Sequence, residues 1–232
     1  MNEYLDTIEI KGLDETYAEN MDVDEVGVPT VLLVDFCIDG SSSMEPYEQV
    51  MRDCLVHYRE SIVNSKQADE MLVSNTVFAS TIKTGGYVAP QDLNTDYSAD
   101  GITRLYDTIV ERRQRLLSYM DQLKNNGTNA RACVVILSDG EDVGSSCTST
   151  NARNAIKDLI SREVIVAFIA FGPGAAGIAD TLGIKAKNVK AVTNNESELR
   201  EVIDLTSKSA QSASKRASAG VAGDGDSGFF DV

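Results

Sequence analysis

The chain has 232 residues, 42% apolar and 25% charged, with 21 Lys plus Arg against 36 Asp plus Glu and a net charge of −15. That balance describes about one large folded domain rather than a disordered or collagenous polymer, and its acidity argues against nucleic-acid backbones and anionic membranes as partners. One His and no Trp remove many zinc arrangements before any motif is considered.

Residues 1–28 hold nine acids against Lys11 alone. They read as a solvated acidic arm with one strand-like piece, 4–10, able to pair with a sheet edge. No basic segment leads into an apolar stretch there, so the arm is not a secretory signal. The longest apolar run, 164–171 (VIVAFIAF), falls far short of the roughly 18 residues that span a bilayer. Four cysteines are scattered without a C-x-x-C pair, and Cys37 and Cys133 lie inside apolar runs, where free Cys acts as a small hydrophobe. The expected home is the reducing cytoplasm.

From residue 29 the pattern changes. The run 31–38 (VLLVDFCI) predicts a strand buried on both faces. Residues 46–64 have helical spacing, with Val50, Met51, Cys54, Leu55 and Tyr58 on one stripe. Residues 71–79 and 81–88 predict a strand pair broken at Gly85 and Gly86. A second helix follows over 103–124, stopped by Asn125-Asn126-Gly127. Strand 131–137, helix 151–161, strand 164–171, a short helix near 176–182, strand 188–192 and a helix from Glu196 to about Lys215 complete the pattern. Strands alternating with helices predict an α/β fold with a mostly parallel sheet covered on both sides. Ligands of such sheets bind beyond the carboxyl ends of the strands. The domain is assigned to 29–217 and a low-complexity tail to 218–232, where Phe229 and Phe230 could dock on this domain or on a partner.

The first buried strand runs into Asp39-Gly40-Ser41-Ser42-Ser43-Met44. In an extended loop alternate residues share a direction, so positions 39, 41 and 43 can converge. All three carry hard oxygen donors, which suit Mg²⁺. Mg²⁺ takes about six oxygens, so other loops must contribute. Asp139, in Leu137-Ser138-Asp139-Gly140-Glu141-Asp142, ends a neighbouring strand. Thr103, in Asp100-Gly101-Ile102-Thr103-Arg104-Leu105-Tyr106-Asp107, is placed at the start of the second long helix.

These three segments, in this order and spacing, resemble the von Willebrand factor type A domain and its metal-ion-dependent adhesion site, over roughly residues 29–210. The likeness leans towards intracellular bacterial members, including tellurite-resistance-associated ones. It implies a Rossmann-like three-layer sandwich of about six strands, one of them an antiparallel edge strand. It also implies one metal site, with Ser41 and Ser43 binding directly, Thr103 directly or through water, and Asp39 and Asp139 largely through waters. Mg²⁺ is the expected ion, with Ca²⁺ and Mn²⁺ as alternatives. A partner protein's Asp or Glu would complete the coordination, and relatives of this kind act with AAA+ ATPases or in stress-response operons. Ser42 departs from many intracellular relatives, which have Gly there. Nothing resembles the extra acidic cluster of integrin β subunits.

Three enzyme readings compete. Gly172-Pro173-Gly174-Ala175-Ala176-Gly177 matches a dinucleotide fingerprint, but Pro173 removes a backbone donor from the phosphate cradle. Asp35 and Asp39 could serve a Mg²⁺-dependent hydrolase or phosphatase, although that chemistry wants a gap of two residues and here it is four. A serine hydrolase would have only His57 as base, and His57 falls inside the first helix. No catalytic residue or organic cofactor is assigned.

Overall fold

The computed structural model describes residues 30–140, 142–193, 195–220 and 228–232. The acidic arm and its strand-like piece lie outside the described residues. Strand β1 (Thr30–Asp39) leads to helix α1 (Glu48–Val63), then strands β2 (Met71–Phe78) and β3 (Ile82–Thr84). Helix α2 (Leu105–Asn125), strand β4 (Asn129–Ser138) and helix α3 (Ser149–Ser161) follow. Strand β5 (Ile165–Phe171), helix α4 (Ala175–Leu182), strand β6 (Val189–Val192) and helix α5 (Glu196–Ser218) close the fold.

One sheet contains all six strands in the order β3-β2-β1-β4-β5-β6. Every pairing is parallel except that of β2 with the edge strand β3. The second hairpin strand is shorter than its sequence predicts. Beyond Thr84 only a single bridge, Val73 to Val88, continues the pairing, because Gly85 and Gly86 bend the chain away.

Alternation along β1 builds both cores at once. Leu32, Val34, Phe36 and Ile38 pack with α1 and α5 on one face. Leu33 and Cys37 pack with α2, α3 and α4 on the other. Asp35 interrupts the second face. It is fully buried and accepts from Arg112 Nε at 2.7 Å and Tyr87 at 3.3 Å. Burial pushes its carboxyl up, and the Arg112 charge beside it opposes that rise.

Residues 228–232 pack on the domain. Phe229 is fully buried and Phe230 is 9% exposed, both within the α1–α5 core. The Phe229 amide donates to the buried Asn188 Oδ1 at 2.8 Å, just before β6. All four cysteines are free thiols. Among the described residues no helix is long and apolar enough to cross a membrane.

Candidate metal centre

The strand order changes direction between β1 and β4, which both leave the sheet at their carboxyl ends at that point. A crevice opens there in sheets of this kind. Register puts Ile38 beside Leu137, so Asp39 meets Ser138 one residue further on. The Ser138 hydroxyl donates to Asp39 Oδ2 at 2.6 Å, and the Ser41 amide donates to Asp39 Oδ1 at 2.9 Å. Asp39 is fully buried. Burial pushes its carboxyl up to about 6, against the hydrogen bonds from Ser138 and Ser41, and the nearby Asp139 charge adds to the rise. No cation is among the groups that shift it.

Ser41 and Ser43 do converge, by a different route from the extended loop expected. Ser41 is extended, at φ −71° and ψ 164°, and residues Ser42–Tyr47 form a 3₁₀ helix. That turn brings Ser41 Oγ within 3.0 Å of Ser43 Oγ, and Ser43 Oγ donates to Asp139 Oδ2 in a short contact. The structure therefore gathers Asp39, Ser41, Ser43 and Asp139. Asp39 and Ser41 form a buried floor, while Ser43 is exposed and Asp139 half-buried, so the cluster opens to solvent.

Thr103 is 4% exposed and lies before α2 rather than within it, since the helix starts at Leu105 with Arg104 as its N-cap. Its carbonyl accepts the amides of Val143 and Gly144 at 3.2 and 2.9 Å. Its hydroxyl makes no hydrogen bond to the other four side chains among the described residues. The loop is nonetheless pinned beside them. The Asp100 amide donates to Gly40 O at 2.7 Å and the Ser42 amide to Gly101 O at 3.0 Å. The Gly101 amide in turn donates to Ser42 Oγ at 2.9 Å. Ser42 is thus a loop clamp, a role Gly could not fill.

The start of α2 is capped from the β4–α3 loop. The Tyr106 amide donates to Asp142 Oδ1 at 3.1 Å and the Asp107 amide to Ser145 Oγ at 3.0 Å, satisfying donors that the helix leaves free. Asp107 accepts from the Ser146 and Cys147 amides at 3.0 and 2.8 Å and from Arg104. These bonds lock the segment carrying Thr103 to the one carrying Asp139. Tyr97, which sequence reasoning also missed, donates to Asp39 O at 2.6 Å. Ser138 had a signal: it is the hydroxyl residue immediately before Asp139.

No group of three or more His, Cys, Asp or Glu converges among the described residues. The cluster instead offers two carboxylates and neutral hydroxyls, all hard oxygen donors. A buried anion without a counter-charge, beside such donors, fits a hard divalent cation. The competing enzyme sites gain nothing from the geometry. Asp35 sits four residues back along β1, about 13 Å away at strand rise, and is committed to Arg112. His57 is exposed on α1, facing Asp204 at 3.6 Å. Gly172 and Gly174 have φ of +92° and turn the chain into α4.

No family profile matches the sequence, and no curated protein does. Solved structures do match. The pilus adhesin SpaC from Lactobacillus rhamnosus GG superposes with a TM-score of 0.64 at 10% identity, over 79% of this chain and 30% of its own. Proximal thread matrix protein 1 from the mussel byssus, with a zinc occupied MIDAS motif, gives 0.56 at 16% identity, over 82% and 47%. The SpRpn10 VWA domain gives 0.56 at 12% identity, over 75% of this chain and 94% of its own. The chain thus spans under half the length of the first two, and at these identities the likeness is one of fold.

Proposed function

This chain has the fold of a von Willebrand factor type A domain, and on it we propose a divalent-metal-dependent protein-binding module. In this reading Asp39, Ser41, Ser43, Thr103 and Asp139 hold the ion. The observation that carries it is the run of contacts from Ser41 through Ser43 to Asp139 above a buried Asp39. Ser41 and Ser43 present neutral oxygens, and Asp39 is fixed in orientation by Ser138 and the Ser41 amide. Thr103 supplies a further hydroxyl from the loop clamped by Ser42. Once bound, the ion offsets the two carboxylates and stays electrophilic towards a partner's Asp or Glu.

All-oxygen donors favour Mg²⁺, with Ca²⁺ or Mn²⁺ as alternatives. The zinc occupied motif of the byssal protein supports a divalent cation at this part of the fold. Binding rather than catalysis is the reading, because Asp35, the second carboxylate a hydrolase would use, is engaged by Arg112. Four free thiols support a cytoplasmic home.

Calorimetric titration of Mg²⁺, Mn²⁺ and Ca²⁺ tests the assignment. We expect one site in the wild type and none in Ser41→Ala or Asp139→Ala, with the fold retained. Unchanged affinity in both variants would count against it. Capture of a partner in Mg²⁺ and its release in EDTA tests the binding role.

A further inference from the structure

Among the described residues four large apolar side chains are exposed, Val63, Ile102, Val143 and Val232. Two of them border the metal loops. Ile102 is 48% exposed and precedes Thr103, while Val143 is 68% exposed and follows Asp142. One stretch of backbone links them. A Cβ built on Gly144 would fall 2.7 Å from Ile102 Cδ1, so the Ile102 side chain rests on the backbone next to Val143. The bonds from the Val143 and Gly144 amides to the Thr103 carbonyl fix that backbone against the Thr103 segment. Isolated exposed apolar side chains are ordinary, but a pair held at the mouth of a polar cluster is not.

Another border is acidic. Asp100 is tied to the metal loop through the Gly40 carbonyl, and Glu45 lies two residues beyond Ser43. Both are exposed, and neither forms an ion pair among the described residues. Asp100 and Ile102 lie two residues apart on one loop, so a carboxylate approaching the metal meets apolar and acidic groups together.

We infer that the occupant is a protein segment in which an Asp or Glu stands next to a large aliphatic side chain and a Lys or Arg. The aliphatic group covers Ile102 and Val143, and the basic group faces Glu45 and Asp100. This inference rests on the metal reading and adds the selection among acidic partners. With a net charge of −15, the chain as a whole repels uniformly acidic segments, and a neighbouring base offsets that repulsion at encounter.

The test uses fluorescein-labelled peptides GGADAGG, GGLDAGG, GGADKGG and GGLDKGG in fluorescence anisotropy, with Mg²⁺ or EDTA. In Mg²⁺ GGLDKGG should bind about tenfold more tightly than GGADAGG, through apolar burial and charge pairing. The gain from Leu should vanish in the I102S/V143S double variant. The gain from Lys should vanish in E45Q/D100N and shrink as salt rises. All four positions are exposed, so thermal melts should match wild type. Equal binding of all four peptides, no binding of any, or a Leu gain that survives I102S/V143S overturns this selection. Absence of a Mg²⁺ titration heat in the wild type marks failure of the metal reading instead, which the peptide ranking does not decide.

Discussion

Ser138, the last residue of β4, donates its hydroxyl to Asp39 Oδ2 at 2.6 Å across the junction of two parallel strands. The Gly140 amide donates to the same hydroxyl at 3.0 Å, so this serine ties the loops after β1 and β4 together. Ser138→Ala removes a donor from a fully buried carboxylate, a loss of about 1–3 kcal/mol in this kind of site. We expect Mg²⁺ affinity to drop about tenfold or more in calorimetry, with unfolding still cooperative. An affinity equal to that of wild type sinks this role.

The pair of Asp35 and Arg112 should behave as a unit. Arg112 is 2% exposed, and Asp35 Oδ1 has no hydrogen-bond partner. Arg112→Met alone strands a buried carboxylate and should cost about 3–5 kcal/mol. Adding Asp35→Leu should restore a large part of that loss. Urea unfolding of both singles and the double closes the cycle, and additive losses would contradict coupling.

Asp107 gives the fold an acid-sensitive contact. Burial alone would raise its carboxyl, but the Cys147 and Ser146 amides and Arg104 outweigh that and hold it at about 2, below the ordinary 3.8. A carboxylate lowered on folding adds stability above its unfolded pKa and loses it as pH falls through the folded one. The advantage of wild type over Asp107→Asn should therefore be constant above about pH 5 and fade towards pH 2. Thermal melts across that range check it, and a pH-independent difference refutes it.

Gly140 follows Asp139 with φ +92°, and a Cβ there would lie 2.9 Å from the Ala175 Cα of helix α4. Gly140→Ala combines backbone strain with a clash against main chain. A loss of about 2 kcal/mol or more, with weaker Mg²⁺ binding, is expected in denaturant and calorimetric titrations. Full retention of both would show that the loop can move without consequence.

Fold class was legible because the chemistry is repetitive. Buried runs such as 31–38 and 164–171 alternate with helical stripes, the pattern of parallel strands covered on both faces. The meeting of Asp39, Ser41, Ser43 and Asp139 was legible because two of the three short segments follow the carboxyl ends of neighbouring strands. What escaped was what only pairing creates. Ser138 is marked along the chain only by preceding Asp139 and Tyr97 by nothing, yet strand register brings one to the Asp39 carboxylate and a loop brings the other to its carbonyl. The start of α2 was misplaced at Thr103 because its caps, Asp142 and Ser145, come from a loop some forty residues later. Composition left Phe229 and Phe230 free to dock on this domain or on a partner, and the α1–α5 core settles it by burying both.

Strand register sets Val189 level with Cys37, two residues before Asp39, so the bond from the Phe229 amide to Asn188 holds residues 228–232 against the edge strand β6 in the same half of the sheet as the site. Removing those five residues would bare apolar surface of the α1–α5 core that Phe229 and Phe230 now cover.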